Sequence, residues 1–174
     1  MIIQSTNIND LKIIKLNKFN DSRGVFYRNF CEKELQSITK KKIVQSNISI
    51  NKKKFTLRGF HYQKNPSKEG KFITCVTGNV FNVTIDLRKK SKSYLKLVKM
   101  NINSKKNNII YIPPGCANAY LTLEKNTIIH YSMTDFYKPE TYEKFNYKSK
   151  EIKIKWPSKP VVISLQDKNA KNLF

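Results

Sequence analysis

Histidine is nearly missing from this chain, with only His61 and His130 in 174 residues. That count excludes a transition-metal centre built from several imidazoles, and Cys31, Cys75 and Cys116 include no Cys-x-x-Cys pair to supply a thiolate site instead. Three cysteines, an odd number at wide spacing, do not indicate a disulfide framework and read as small core residues. No apolar run approaches the roughly 18 residues that a membrane-spanning helix needs. Met1-Ile2-Ile3-Gln4-Ser5 lacks the charged-then-apolar layout of a signal peptide. The expectation is a cytoplasmic protein with no membrane partner.

Acidic residues are scarce, 12 against 34 lysines and arginines, which leaves a formal charge of +22. Such a charge raises the question of nucleic acid. The lysines, however, are spread through every segment (Lys40 to Lys42, Lys52 to Lys54, Lys89 and Lys90, Lys105 and Lys106) beside abundant Asn and Ile. No zinc-finger, helix-turn-helix or RNA-recognition spacing occurs, so the charge is read as solvated surface and no nucleic acid partner is expected. Hydrophobic residues at 39% and aromatics at 11% suffice for a folded core, and the length suits one domain over residues 1–174.

Short strand-like runs dominate. Ile43 to Ile50, Phe55 to Tyr62, Lys71 to Thr77, Asn79 to Leu87, Tyr94 to Ile102, Ile109 to Ile112, Ala119 to Leu123 and Thr127 to Met133 are separated by turn residues at roughly 8 to 12 residue spacing. Gly78 between two of these runs reads as a hairpin turn. Glu32 to Thr39 is the one stretch with helical character, and the tail from Asp135 to Phe174 reads as irregular chain wrapped over the rest. The predicted fold is all-β, a jelly-roll barrel with short peripheral helices.

The chemistry centres on Thr56-Leu57-Arg58-Gly59-Phe60-His61-Tyr62-Gln63. Histidine titrates nearest neutrality, so His61 is the natural proton carrier. Strand alternation turns Gly59, His61 and Gln63 one way and Arg58, Phe60 and Tyr62 the other, puts Gln45 and Asn47 on one face, and sends His130 outward if Tyr131 points in. Jelly rolls of the cupin type often hold a metal on several histidines, but with two histidines the expectation is chemistry without metal or cofactor. An inward His and Tyr with a Lys and Arg between them suit proton transfer at a carbon beside a ketone, the cations holding the enolate oxygen.

Nine motifs in order carry a family resemblance: Phe19-Asn20-Asp21-Ser22-Arg23-Gly24, Gln45-Ser46-Asn47, Leu57 to Gln63, Gly70-Lys71, Gly78-Asn79-Val80-Phe81, Asp86-Leu87-Arg88, Ile112-Pro113-Pro114-Gly115, Tyr137-Lys138-Pro139-Glu140 and Ile154-Lys155-Trp156-Pro157. Together they resemble the dTDP-4-dehydrorhamnose 3,5-epimerase family over nearly the whole chain. The resemblance implies a metal-free cupin jelly roll and a homodimer that exchanges N-terminal strands. It also implies inversion at C3, C5 or both in a 4-keto sugar carried by a nucleoside diphosphate. It makes His61 the general base, Asp167 its carboxylate partner, Tyr131 the proton donor, and Lys71 and Arg58 the cations near the enolate. Arg23, Gln45, Asn47 and Glu143 fall on substrate-binding positions, as do Arg28 and Asn118.

Four residues depart from the family pattern: Arg28 where Glu is usual, Asn118 where His is usual, Gln166 in place of Lys, and Asn82 in place of Asp. The catalytic set is retained while recognition positions change, which makes a GDP-linked 4-keto heptose for a surface polysaccharide an alternative to a dTDP-linked sugar. A cupin 3,4-ketoisomerase is the nearest enzymatic rival, but it calls for a histidine pair on one strand, and Gly59 stands two before His61. A basic, non-catalytic jelly roll binding anionic glycans or nucleic acid is the rival from another class.

Overall fold

In the computed structural model, which describes residues 1–106 and 108–174, twelve of the fourteen short strands among the described residues form the two facing sheets of one barrel. One sheet takes the order β1 (Ile2–Ser5), β2 (Lys12–Lys15), β10 (Asn108–Ile112), β7 (Lys71–Thr77), β12 (Thr127–Met133), β5 (Gln45–Asn51). The facing sheet runs β13 (Tyr142–Lys144), β6 (Thr56–Gln63), β11 (Cys116–Thr122), β8 (Asn79–Asp86), β9 (Leu97–Asn103), with β14 (Val162–Ile163) parallel to β6. All other pairings in these two sheets are antiparallel. β3 (Lys18–Asp21) and β4 (Gly24–Tyr27) form a separate hairpin. The jelly roll expected from strand spacing is the fold observed. No helix among the described residues is long and apolar enough to cross a membrane.

Apolar side chains at alternate positions divide the interior into three clusters. Ile73, Cys75, Ile110, Ile112, Ile129, Val80, Ile102 and Cys116 meet between the sheets. The outer face of the second sheet is covered by the tail, where Phe60, Val83, Ile85, Ala117 and Ala119 pack under Phe145, Ile152 and Trp156. The outer face of the first sheet is covered by α1 (Glu32–Leu35) and the chain after it, Leu35 and Ile38 lying on Phe72, Ile109 and Tyr111. Two of the cysteines are buried and none is paired, in keeping with their reading as core residues.

Three expectations are corrected here. Gly78 does not turn a hairpin: β7 and β8 belong to opposite sheets, β7 pairing with β10 and β12 and β8 with β9 and β11, so the chain crosses between the sheets at Gly78. The tail is not wholly irregular, since it pairs β13 and β14 with β6 and forms the one-turn helix α2 (Leu165–Lys168) shortly before its end. Elements of two to four residues are too short for any hydrophobic period to show.

The third correction concerns β6. His61 pairs with Asn118 and Arg58 with Tyr120, so two β6 residues, Gly59 and Phe60, oppose Ala119 alone. A bulge of this kind shifts alternation by one. Arg58 therefore shares the inward face with His61, while Phe60 stacks outward on Phe145 at 4.6 Å between ring centroids.

Gly59 makes the bulge possible. Its φ of +115° is a region L side chains rarely adopt, and a Cβ there would lie 2.5 Å from Asn118 O, 2.6 Å from Ala119 Cα and 2.7 Å from Ala119 Cβ. Backbone neighbours cannot swing aside. Gly59→Ala should therefore lose about 3 to 5 kcal/mol of stability, combining backbone strain with overpacking. Thermal unfolding should show a midpoint lower by roughly 10 °C or more, and a loss under about 3 °C would mean the bulge relaxes easily.

Candidate active site

Between the sheets a cavity of about 610 Å³ opens at one end of the barrel. β6 contributes Arg58 and His61, β11 contributes Asn118 and Tyr120, and β12 contributes Ile129, Tyr131 and Met133. β5 supplies Gln45, Asn47 and Ser49, β7 supplies Lys71 and Ile73, and the tail closes the mouth with Tyr137, Tyr142 and Gln166. The size is that of a pocket for a small organic ligand.

His61 Nε2 lies 2.7 Å from Asp167 Oδ1. A carboxylate accepts, so the pairing assigns the proton to Nε2 and leaves the Nδ1 lone pair uncommitted. Asp167 is itself held. Its Oδ2 accepts the Gly59 N–H at 3.3 Å, and Ser164, the N-cap of α2, accepts the Asp167 N–H at 3.1 Å. Burial pushes the Asp167 carboxyl up, but the hydrogen bonds from His61 and Gly59 outweigh it and keep the group below the ordinary carboxylate range. The imidazole ring also packs against Tyr142 at 5.4 Å between centroids, which limits its rotation.

Across the cavity Tyr131 projects from the opposite sheet. Burial raises its phenol above the ordinary value, so it stays protonated at neutral pH and can donate. The neighbouring His130 faces outward, with Ser46 Oγ 2.8 Å from Nε2 and Asn29 Nδ2 3.3 Å from Nδ1, as alternation predicted once Tyr131 points in.

Two cations line the cavity. Arg58 donates through Nε to Asn51 Oδ1 at 3.0 Å, and Lys71 Nζ sits 2.8 Å from Glu69 Oε1. Glu69, 7% exposed, was not singled out from the sequence, and neither were Tyr142, Tyr137 and Tyr120. Its other oxygen accepts Gln63 Nε2 at 2.6 Å, and Gln63 Oε1 accepts Lys138 N–H and Thr141 Oγ1–H, both at 2.8 Å. Lys71 is thus tied to the loop that carries Tyr137. The one signal for Glu69 was its place two residues before a strand lysine. Gln45 Nε2 donates to Asn47 Oδ1 at 3.3 Å, and Gln45 Oε1 accepts Tyr137 N–H at 2.9 Å.

Three residues singled out from the sequence stand apart from this cavity in the single chain. Arg23 sits at the tip of the β3–β4 hairpin, its side chain 89% exposed and paired with Asp21 at 2.6 Å. Arg28 leaves the same hairpin and pairs with Glu34 at 3.0 Å. Glu143 is turned outward by alternation on β13 and pairs with Lys64. Among the described residues no group of three or more His, Cys, Asp and Glu is placed to hold a metal ion.

The family model described as dTDP-4-dehydrorhamnose 3,5-epimerase matches residues 5–174. A relative of that name from Shigella flexneri is 33% identical over 171 residues, covering 97% of this chain and 94% of the relative. Another, from Salmonella typhimurium, is 31% identical, covering 90% and 86%. Among solved structures, the Bacillus anthracis dTDP-4-dehydrorhamnose 3,5-epimerase with TDP and PPi bound superposes with a TM-score of 0.95 at 28% identity, covering 99% of each chain. A Legionella pneumophila dTDP-6-deoxy-D-glucose-3,5-epimerase in complex with dTDP-4-keto-L-rhamnose gives 0.92 at 32% identity, covering 98% of this chain and 92% of that one. With a matching barrel, a match along nearly its whole length and a histidine–carboxylate pair in the cavity, the chain belongs to the dTDP-4-dehydrorhamnose 3,5-epimerase family of nucleotide-sugar isomerases.

Proposed function

We propose that residues 1–174 act as one domain that inverts C3 and C5 of a dTDP-linked 4-keto-6-deoxy sugar, and the observation carrying this is the His61–Asp167 pair set across one cavity from Tyr131. The ketone at C4 acidifies the protons on both neighbouring carbons. His61 Nδ1 takes one of them, and the Asp167 carboxylate stabilises the imidazolium that results. Lys71 and Arg58 stabilise the negative charge that moves onto the ketone oxygen. Tyr131, on the opposite wall, returns a proton to the other face, and the centre is inverted. Repeating the steps at the second carbon needs only rotation of the sugar in the cavity.

Thymidine is the proposed nucleoside on the strength of the relatives. The active unit is proposed to be a homodimer, supported by the exposed apolar hairpin (Phe19, Val25 and Phe26) and by the exposed apolar side chains of Ile48 and Ile50 on edge strand β5. Exchanging the hairpin would cover both patches and bring Arg23 toward a partner's cavity, where a guanidinium suits a diphosphate. Proton NMR in deuterated water tests the activity. Signals at C3 and C5 of the dTDP sugar should wash out with this protein at sub-stoichiometric amounts, in a species sedimenting at twice 20.4 kDa. Washout confined to a GDP-linked heptose would transfer the assignment to that nucleotide, and a fully active monomer would remove the exchange.

A further inference from the structure

The cavity wall beside His61 carries a polar group whose orientation is fixed from behind. Asn118 is the cross-strand partner of His61 and is 8% exposed, on the cavity side. Its Nδ2 points away from the cavity, donating to Asn82 Oδ1 at 2.8 Å and to Val83 O at 3.0 Å, with Thr84 Oγ1 at 3.3 Å. A backbone carbonyl can only accept, so Val83 O determines which end of the amide faces inward. Both N–H bonds are consumed there. No donor among the described residues reaches Asn118 Oδ1, and the one buried side-chain polar atom lacking a partner is a different one, Asn79 Oδ1. Asn118 Oδ1 is therefore an accessible acceptor at the cavity surface, next to the base.

An acceptor in that place selects its ligand. A ketone oxygen has no proton to give it, and the enolate that forms would be repelled by a carbonyl oxygen. In a 4-keto pyranose the C5 oxygen is locked in the ring, whereas C3 bears a free hydroxyl on the carbon whose proton the neighbouring imidazole removes. We propose that Asn118 is a specificity-determining residue whose Oδ1 accepts a hydrogen bond from the C3 hydroxyl of the sugar, leaving the ketone oxygen to Lys71 and Arg58. The assignment rests on the epimerase reading above. It divides the site into a donor side for the ketone and an acceptor side for its neighbour.

The experiment follows deuterium uptake at C5, which survives changes at C3, for the dTDP-linked 4-keto-6-deoxy sugar, its 3-deoxy analogue and its 3-fluoro analogue. With the unaltered protein the 3-deoxy and 3-fluoro sugars should both show KM raised about 3- to 10-fold, the range of one neutral hydrogen bond, with kcat at C5 little changed. Fluorine accepts but cannot donate, so a fluoro sugar matching the parent would overturn the acceptor assignment without any variant. In Asn118→Ala the parent and 3-deoxy sugars should have the same KM within about twofold. A penalty that persists undiminished in the variant also overturns the assignment. Absence of uptake at both C3 and C5 with the parent sugar overturns the epimerase reading and this assignment together. Uptake at C3 alone moves the same comparison to inhibition of C3 exchange by the two analogues. Equal KM or inhibition constants for all three sugars overturn the assignment alone.

Discussion

Replacing His61 with Asn should slow washout of both the C3 and C5 protons by about 10²- to 10⁴-fold, the contribution of a positioned general base. At about 1.4 kcal/mol per decade this is roughly 3 to 5 kcal/mol of barrier. Both carbons should suffer equally, because the cavity holds one histidine and the other, His130, is turned outward to Ser46 and Asn29. The asparagine amide fills the proximal half of the imidazole and stops short of the Nε2 position that meets Asp167, but the buried carboxylate keeps the Gly59 N–H at 3.3 Å. Circular dichroism should be unchanged. More than a few per cent of the original washout rate in the variant removes His61 from the role of base.

Tyr131→Phe should separate exchange from inversion. Phenylalanine fills the same volume, so the packing of Tyr131 against the cluster between the sheets is kept and only the hydroxyl is lost. Deprotonation by His61 does not need that hydroxyl. Washout should stay within about tenfold of the original, while the yield of inverted sugar falls by about 10²-fold or more. The opposite walls are the reason: His61 comes from β6 of one sheet and Tyr131 from β12 of the other. Tyr142 is the competing donor, since its ring lies 5.4 Å from that of His61 and burial raises its phenol strongly. It belongs to β13, beside β6, and so stands on the same wall as the base. If inversion keeps pace with washout in Tyr131→Phe and fails in Tyr142→Phe, the proton returns from Tyr142.

Much of this architecture was legible in the chain because its strands are long enough to show a period of two. β5, β7 and β12 each run for 7 residues, and Gln45 with Asn47, and Tyr131 against His130, point where alternation sends them. The cavity composition was partly legible through the family motifs, with His61, Lys71, Tyr131, Gln45, Asn47, Asn118 and Arg58 all lining it, although alternation alone sent Arg58 to the opposite face. Glu69, Tyr137 and Tyr142 were not, since they sit on loops and a three-residue strand where spacing carries no directional information. Asp167 came only from the family resemblance, as nothing local marks a carboxylate 106 residues from its imidazole.

The sequence by itself determined an all-β chain and a histidine count too low for a centre of several imidazoles, because composition and alternation are properties of the chain read in order. The tertiary structure alone decided that Arg58 joins His61, through a bulge that a glycine at φ +115° permits against Asn118 and Ala119. It alone decided that Glu69 holds Lys71 and that Asn118 presents oxygen rather than nitrogen. Each of these depends on what the neighbouring strand or the returning tail places opposite a residue. Strand order and register set that opposition, and they are properties of two segments at once.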